Sequence, residues 1–219
     1  TDIEGIDTYV VDDGIGRSLI IHPGTGDIYV SGFTDSANFP GTGGGAQSAR
    51  RGTRDGFVAW LNAGLTTLNQ ATYAGGFNAD GISSVALHPL NGEIYVAGTT
   101  SLSAFPETVG GAQSTYGGGT NDGFVARFNA SLTTLNQATY LGGSGVDIGG
   151  AGLAIHASSG EVYVTTRTAS ADFPVTAGGA QPASGGGQDS SVTRITADLQ
   201  AVSTNADLAI TNIDSPDPV

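Results

Sequence analysis

A nine-residue phrase, Leu-Thr-Thr-Leu-Asn-Gln-Ala-Thr-Tyr, occurs twice without change, at Leu65–Tyr73 and at Leu132–Tyr140. A repeat of this kind indicates a stack of similar structural units, in which each unit buries its hydrophobic face against its neighbours. It also changes how single residues are interpreted. A residue that returns in every copy has the same surroundings each time, so it serves the architecture more readily than a unique chemical step.

Other landmarks recur at nearly the same step and define three copies. They are an aliphatic-tyrosine-valine triplet, a Phe-Pro pair and a Gly-Gly-Ala-Gln run. They stand at Ile28–Val30, Ile94–Val96 and Val162–Val164; at Phe39-Pro40, Phe105-Pro106 and Phe173-Pro174; and at Gly44–Gln47, Gly110–Gln113 and Gly178–Gln181. Asp55-Gly56 and Asp122-Gly123 are followed only by Asp189-Ser190, so the third copy is degenerate towards its end.

Each copy predicts four short β-strands, which in the second copy are Ile82–Pro89, Glu93–Thr100, Asp122–Asn129 and Thr134–Leu141. These segments are rich in the β-branched and aromatic residues that suit a pleated surface. Asn91-Gly92 between the first two is a hairpin-turn signal, and no segment has a helical period. The long connection from the second to the third strand is expected to wander over the surface.

Four antiparallel strands per repeat are typical of a β-propeller blade. We therefore predict an all-β fold, a propeller-like array of three four-stranded antiparallel blades plus an extra N-terminal strand. The predicted repeat domain covers residues 1–205, with blades at about 12–77, 78–144 and 145–205. The extra strand, at 6–11, aligns its Thr8-Tyr9 with Thr72-Tyr73 and thus corresponds to the outermost strand of a blade. Residues 206–219 form a tail or begin a following module.

From about Thr8 to Val202 the chain resembles the bacterial propeller repeats of the SBBP type. The resemblance is carried by Thr139–Gly145, Glu161–Thr165, Asp172–Pro174 and Asp122–Asn129. It implies a propeller but no activity, because that family is defined by its repeat. The tail, Ala206–Asn212 followed by Asp214–Val219, resembles the opening of an immunoglobulin-like surface repeat of the DUF11 type. That second resemblance implies a fragment or a processed product of a larger surface protein.

The composition limits the classes of partner that we expect for this protein. The formal net charge of −13 opposes nonspecific nucleic-acid binding, which rests on phosphate neutralisation by basic residues. No run approaches the roughly 20 apolar residues of a membrane helix. The Thr/Ser/Gly/Asn-rich, lysine-free composition is typical of an exported protein, so an extracellular or cell-surface location is expected, whereas the lack of cysteine gives no information about the compartment. Most Asp residues lie in predicted turns. They are either solvated loop residues or ligands of calcium, a cation that binds loop carboxylates.

Candidate chemistry is sparse. The three histidines, His22, His88 and His156, end the same strand in successive copies, which favours a structural role. Glu93 and Glu161 are likewise repeat equivalents beside a hairpin turn. No nucleophile elbow, zinc-protease motif or P-loop is present. We therefore assign no catalytic or cofactor-binding residue and expect a protein that is not an enzyme.

Departures from the repeat are the better interface candidates. Arg50, Arg51 and Arg54 cluster in one loop of an acidic chain, as a solvated loop or as a docking patch for an acidic neighbour. Trp60 falls where the other copies have Arg127 and Arg194, so it is either an interface anchor or packs against the loop stem.

Closed propellers have four to eight blades, and this chain contains three. An open array exposes two blade faces and leaves strand edges that invite pairing with another chain. We expect a structural or adhesive surface subunit that self-associates into an oligomer or filament, with Tyr9 and Val10 pairing with a neighbour's sheet. The alternatives are a module that binds glycan or protein and, third, a secreted glycosidase or lyase, which would need a unique acidic cluster.

Overall fold

The computed structural model describes residues 14–101, 104–174 and 179–201. Within these residues eleven strands form three antiparallel sheets, and there is no helix. We call the sheets blades 1, 2 and 3. Blade 1 contains β1 (Gly14–Ile21), β2 (Ile28–Thr34), β3 (Asp55–Leu61) and β4 (Leu68–Ala74); blade 2 contains β5 (Asp80–Leu87), β6 (Ile94–Thr100), β7 (Asp122–Phe128) and β8 (Leu135–Leu141); blade 3 contains β9 (Asp147–Ile155), β10 (Val162–Thr168) and β11 (Asp189–Ile195).

This confirms the predicted all-β, blade-like fold, and the array is open rather than closed. The predicted strand 6–11 and the tail 206–219 lie outside the described residues. The strands of blade 2 match their predicted positions to within two residues. Its first strand begins at Asp80 rather than Ile82, because Asp80 still pairs with Thr100 across the β5–β6 ladder.

The predicted hairpin turns are present in all three blades. The turn between the first and second strand ends each time in a glycine with positive φ: Gly26 (76°), Gly92 (73°) and Gly160 (73°). Glycine adopts this region without steric cost, whereas other residues do so at a penalty. A glycine therefore stands at the same position of the hairpin turn in every copy.

The long connection between the second and third strands is more tightly anchored than predicted. Phe39 in blade 1 is buried, and its ring packs on Phe57 with 4.5 Å between centroids. The amide of Phe39 donates to the hydroxyl of Tyr73, at 2.9 Å, and Phe105 repeats this bond to Tyr140 at 3.0 Å. The expectation of a surface-wandering loop is thus wrong at its Phe-Pro pair, because the phenylalanine is part of the blade core.

The blades pack face to face. We call the face turned towards the preceding blade the front and the opposite face the rear. The rear of blade 1 and the front of blade 2 share one core, and the rear of blade 2 and the front of blade 3 share a second. A third cluster, on the front of blade 1, contains Phe39, Phe57, Ala59, Leu61, Ala71 and Tyr73. The inner strand β5 contacts β1, β2 and β3, and β9 contacts β5, β6 and β7.

Candidate functional site

A tight turn recurs in all three blades, and in blades 2 and 3 it bonds to the preceding blade. Leu65, Leu132 and Leu199 have positive φ of 54°, 58° and 57°, a region that residues with a side chain rarely adopt. Leu132 and Leu199 are fully buried, and their carbonyls accept hydrogen bonds from the preceding blade. The donors are the amides of Ala46 and Ala112, at 2.9 and 2.8 Å. In blades 2 and 3 this left-handed turn therefore directs the leucine carbonyl towards the preceding blade.

A tyrosine on the second strand makes the other recurring bond between blades. The hydroxyl of Tyr29 donates to the carbonyl of Ala130 at 3.0 Å, and that of Tyr95 donates to the carbonyl of Ala197 at 2.5 Å. Burial raises the pKa of both tyrosines to about 12, so they remain donors at physiological pH. Each covered contact thus has one tyrosine bond and one alanine-amide bond.

The front of blade 1 is the uncovered member of this series. Val96 and Val164, on the front faces of blades 2 and 3, are buried, whereas their equivalent Val30 in blade 1 is only half-buried. On the inner strand, Leu19 is 60% exposed while its equivalent Val85 is 5% exposed. The front of blade 1 therefore presents apolar side chains of the kind that the preceding blade covers elsewhere.

The rear of blade 3 is the complementary uncovered face. Tyr29 and Tyr95 are buried at the two covered contacts, but their equivalent Tyr163 is half-buried. Val192 is likewise half-buried, although its equivalents on β3 and β7 are fully buried. Within the described residues, neither the Tyr163 hydroxyl nor the Ala180 amide has the bond that its equivalents form.

Paired aspartates lie at both covered contacts, and sequence analysis missed them. Asp55 and Asp80 lie against Gly75, and Asp122 lies against Gly142, so closely that a side chain at either glycine would overlap a carboxylate. The amide of Gly76 donates to Asp80, at 2.8 Å, and in the second pair Gly143 donates to Asp147 at 2.7 Å. The sequence signal for these aspartate pairs is a Gly-Gly dipeptide whose second glycine precedes an aspartate by four residues. It occurs at Gly76 and Asp80 and again at Gly143 and Asp147.

Burial changes the ionisation of these aspartates. Desolvation raises the pKa of Asp80 to about 6, with a smaller contribution from the charge of Asp55. Desolvation also raises the pKa of Asp122 to about 7, and the charge of Asp147 adds to it. Oδ1 of Asp80 and of Asp122 has no hydrogen-bond partner in the described structure. Such shifts mark a contact whose stability depends on pH.

The three loop arginines have different surroundings. Arg50 donates to the carbonyl of Thr53. Arg51 lines a cavity of about 230 Å³ between blades 1 and 2, together with Glu107. Arg54 forms a two-bond ion pair with Asp35, at 2.8 and 3.1 Å. Tyr9 and Val10, the other predicted interface residues, lie outside the described residues.

Trp60 lies at the contact between blades 1 and 2. Its ring stacks on Tyr29 with 5.9 Å between centroids, and its indole N–H donates to Asp27 at 3.1 Å. Arg127 at the equivalent position binds Glu93, and Arg194 binds Glu161. Tryptophan and arginine thus make the same bond to an acidic residue at the hairpin turn, which explains how one position holds both.

The histidines take part in the hairpin turns. Nδ1 of His22 accepts from the amides of Gly24 and Thr25, and Nδ1 of His88 accepts from the amide of Leu90. Across the described ranges, no group of three or more His, Asp or Glu side chains could hold a metal ion. In the same ranges, no helix is long and apolar enough to cross a membrane.

Comparison with known proteins adds no relative to this geometry. The chain matches no protein-family model and no curated protein sequence.

Proposed function

We propose that the protein is a non-enzymatic structural subunit that assembles by stacking the rear of blade 3 on the front of blade 1 of a second copy. The observation that carries the proposal is the contrast between equivalent residues. Leu19 is 60% exposed at the open front, and Val85 is 5% exposed at the covered one. Burying apolar surface is favourable by roughly 25 cal/mol per Å², so the open faces favour association.

The two covered contacts supply a template for the contact between copies. By equivalence with Tyr29 and Tyr95, the hydroxyl of Tyr163 would donate to the carbonyl of Ala63 in the second copy. By equivalence with Ala46 and Ala112, the amide of Ala180 would donate to the carbonyl of Leu65. The left-handed turn at Leu65, with φ of 54°, already has the conformation of its buried equivalents.

A closed dimer is the assembly that this contact favours. The contacts between blades are concentrated on inner strands, since β5 contacts both β1 and β9, and this is how blades converge on an axis. Two copies would supply six blades, within the four to eight of closed propellers. A head-to-tail contact whose rotation did not close would give a filament instead.

The size of the particle in solution tests the proposal. We expect sedimentation to give twice the chain mass of 21.8 kDa. Leu19→Lys should give single chains, because it places a charge in the apolar contact. Leu90→Lys is the matched control, since Leu90 is 67% exposed in the β5–β6 turn. A parent chain that stays monomeric at high concentration, or equal assembly of both variants, would contradict the proposal.

The predicted pairing of strand 6–11 with a neighbouring sheet is tested separately. β3 and β7 each pair with an outer strand, whereas β11 has no outer partner among the described residues. A chain lacking residues 1–11 should assemble less well if that strand is added to β11 of a second copy. If light scattering shows that the truncated and full chains assemble equally, the open blade faces alone cause the assembly.

The proposed place of action is outside the cell or at its surface. This rests on the resemblance to SBBP-type repeats and on the lysine-free, acidic composition. Fractionation of producing cells with an antibody to the chain should find it in the medium or on the surface. Recovery from the cytoplasm alone would contradict this part.

A further inference from the structure

An open cavity of about 290 Å³ lies where residues of all three blades meet. β1 contributes Arg17, β5 contributes Ser83 and β9 contributes Ile148. Phe33 and Thr99, from the second strands of blades 1 and 2, also line the cavity. A concave site of this size with a few polar groups is where a small molecule binds most readily.

The charged residues of this cavity depart from the repeat. Arg17 occupies the position of Ser83 in blade 2, and Phe33 occupies that of Thr99, as the strand registers show. Arg54 corresponds to Asn121, since each precedes the aspartate that begins a third strand. Because blade 2 folds with serine, threonine and asparagine at these positions, the blade architecture does not require an arginine there.

Of the two arginines that line the cavity, only one forms an ion pair. The guanidinium carbons of Arg17 and Arg54 lie 5.1 and 4.4 Å from the centre of the Phe33 ring. Asp35 neutralises Arg54 through a two-bond ion pair. Arg17 has no ion pair among the described residues, in a chain with a net charge of −13. Two guanidinium groups on one ring, of which only that of Arg54 is ion-paired, favour an added anion at Arg17.

Asp80 limits what that anion can be. Its buried carboxylate also lines the cavity, so a second negative charge on the ligand would be repelled. A single free guanidinium fork matches one carboxylate. The side chains of Ser83 and Thr99 add hydroxyl groups beside it.

We propose that this cavity binds a small hydroxylated monocarboxylate of the size of one hexuronic acid. Its carboxylate pairs with Arg17, and its hydroxyl groups bond to Ser83 and Thr99. This site is independent of the assembly proposed above, because all of its residues belong to one chain.

Titration of the full chain with glucuronate, glucose and sulfate, followed by amide NMR, tests the proposal. Glucuronate should shift the resonances of Gly81 and Ser83 in a saturable manner, whereas glucose, which lacks the carboxylate, should not. Arg17→Ser, which installs the residue of blade 2, should weaken glucuronate binding by roughly tenfold or more. Arg17→Lys should fall between, because it keeps the charge but loses the fork. Arg51→Ser, outside the cavity, should bind as the parent does.

Unchanged circular dichroism of Arg17→Ser establishes that the variant folds. If it binds glucuronate as the parent does, the site is not at Arg17 and the proposal is wrong. Equal affinity for sulfate and glucuronate would mean an adventitious ion only, and would also overturn it. The same titration at a concentration where sedimentation shows single chains separates this result from any failure of assembly.

Discussion

The front faces of blades 1 and 2 are built from the same repeat, but among the described residues a preceding blade covers only that of blade 2. Val96 and Leu132 in blade 2 are fully buried by blade 1, whereas their equivalents Val30 and Leu65 in blade 1 are half-buried. The difference is not in the strands, whose ladders have the same register and the same bulge. This comparison shows that each of the two blades has an apolar front face, whether or not a neighbouring blade covers it.

The largest expected effect comes from shortening one aliphatic side chain on the front face of each inner strand, Ile82 in β5 and Leu19 in β1. Ile82→Ala should lower the free energy of unfolding by about 2–5 kcal/mol, because Ile82 is 1% exposed in the core between blades 1 and 2. Leu19→Ala should change it by less than about 0.5 kcal/mol, because Leu19, on the front face of blade 1, is 60% exposed. Urea unfolding of single chains at low protein concentration measures both. Equal losses would mean that the front of blade 1 is covered within the chain.

A smaller effect is expected from the aspartates at the covered contacts. The folded-state pKa values of Asp80 and Asp122, about 6 and about 7, lie above the ordinary value of 3.8. Between these limits the folded chain binds more protons than the unfolded chain, so stability is greatest below about pH 4 and falls as the pH rises through 7. Thermal unfolding between pH 4 and pH 8 should show this decline.

Asp122→Asn isolates the contribution of one aspartate. The amide resembles the protonated acid, and its oxygen can still accept from the amide of Gly117. The variant should match the parent near pH 4, exceed its Tm at pH 8 and show a shallower decline between them. Glu107→Gln, at an exposed position, is the control and should follow the parent. A parent whose Tm rises from pH 4 to pH 8 would contradict the assignment.

The smallest effect concerns the tyrosine bond between blades. Tyr95→Phe should cost about 1 kcal/mol of unfolding free energy, because it removes the bond to the carbonyl of Ala197. Tyr163→Phe should leave the single chain unchanged and weaken its association, since Tyr163 is at the open rear face. Denaturant titration and sedimentation of both variants give the two results. A loss of stability in Tyr163→Phe would show that its hydroxyl is bonded within the chain.

Much of the fold could be predicted because its signals are local. The hairpin glycines, the segments rich in β-branched and aromatic residues and the repeated nine-residue phrase indicated the blades and where their strands end. The phrase spans the left-handed leucine turn and the outer strand, which have the same conformation and pairing in blades 1 and 2. The anchoring of Phe39 was not predicted, because its partner Tyr73 lies 34 residues away in sequence.

The site was less predictable. Arg50, Arg51 and Arg54 are close in sequence, but their side chains have different surroundings in the fold. Arg17 was overlooked because it stands alone in the sequence. It becomes notable only where strands from three blades bring it to one cavity.

By itself the sequence determined the blade, because turn chemistry and β-branched and aromatic content act over a few residues and are repeated three times. Only the tertiary structure decided which faces are covered, which aspartates lose their solvent and which arginine of the cavity has no ion pair. The physical reason is that burial, pKa and electrostatic balance depend on neighbours distant in sequence. Equivalent positions of the repeat, such as Leu19 and Val85, are therefore open surface in one blade and core in another.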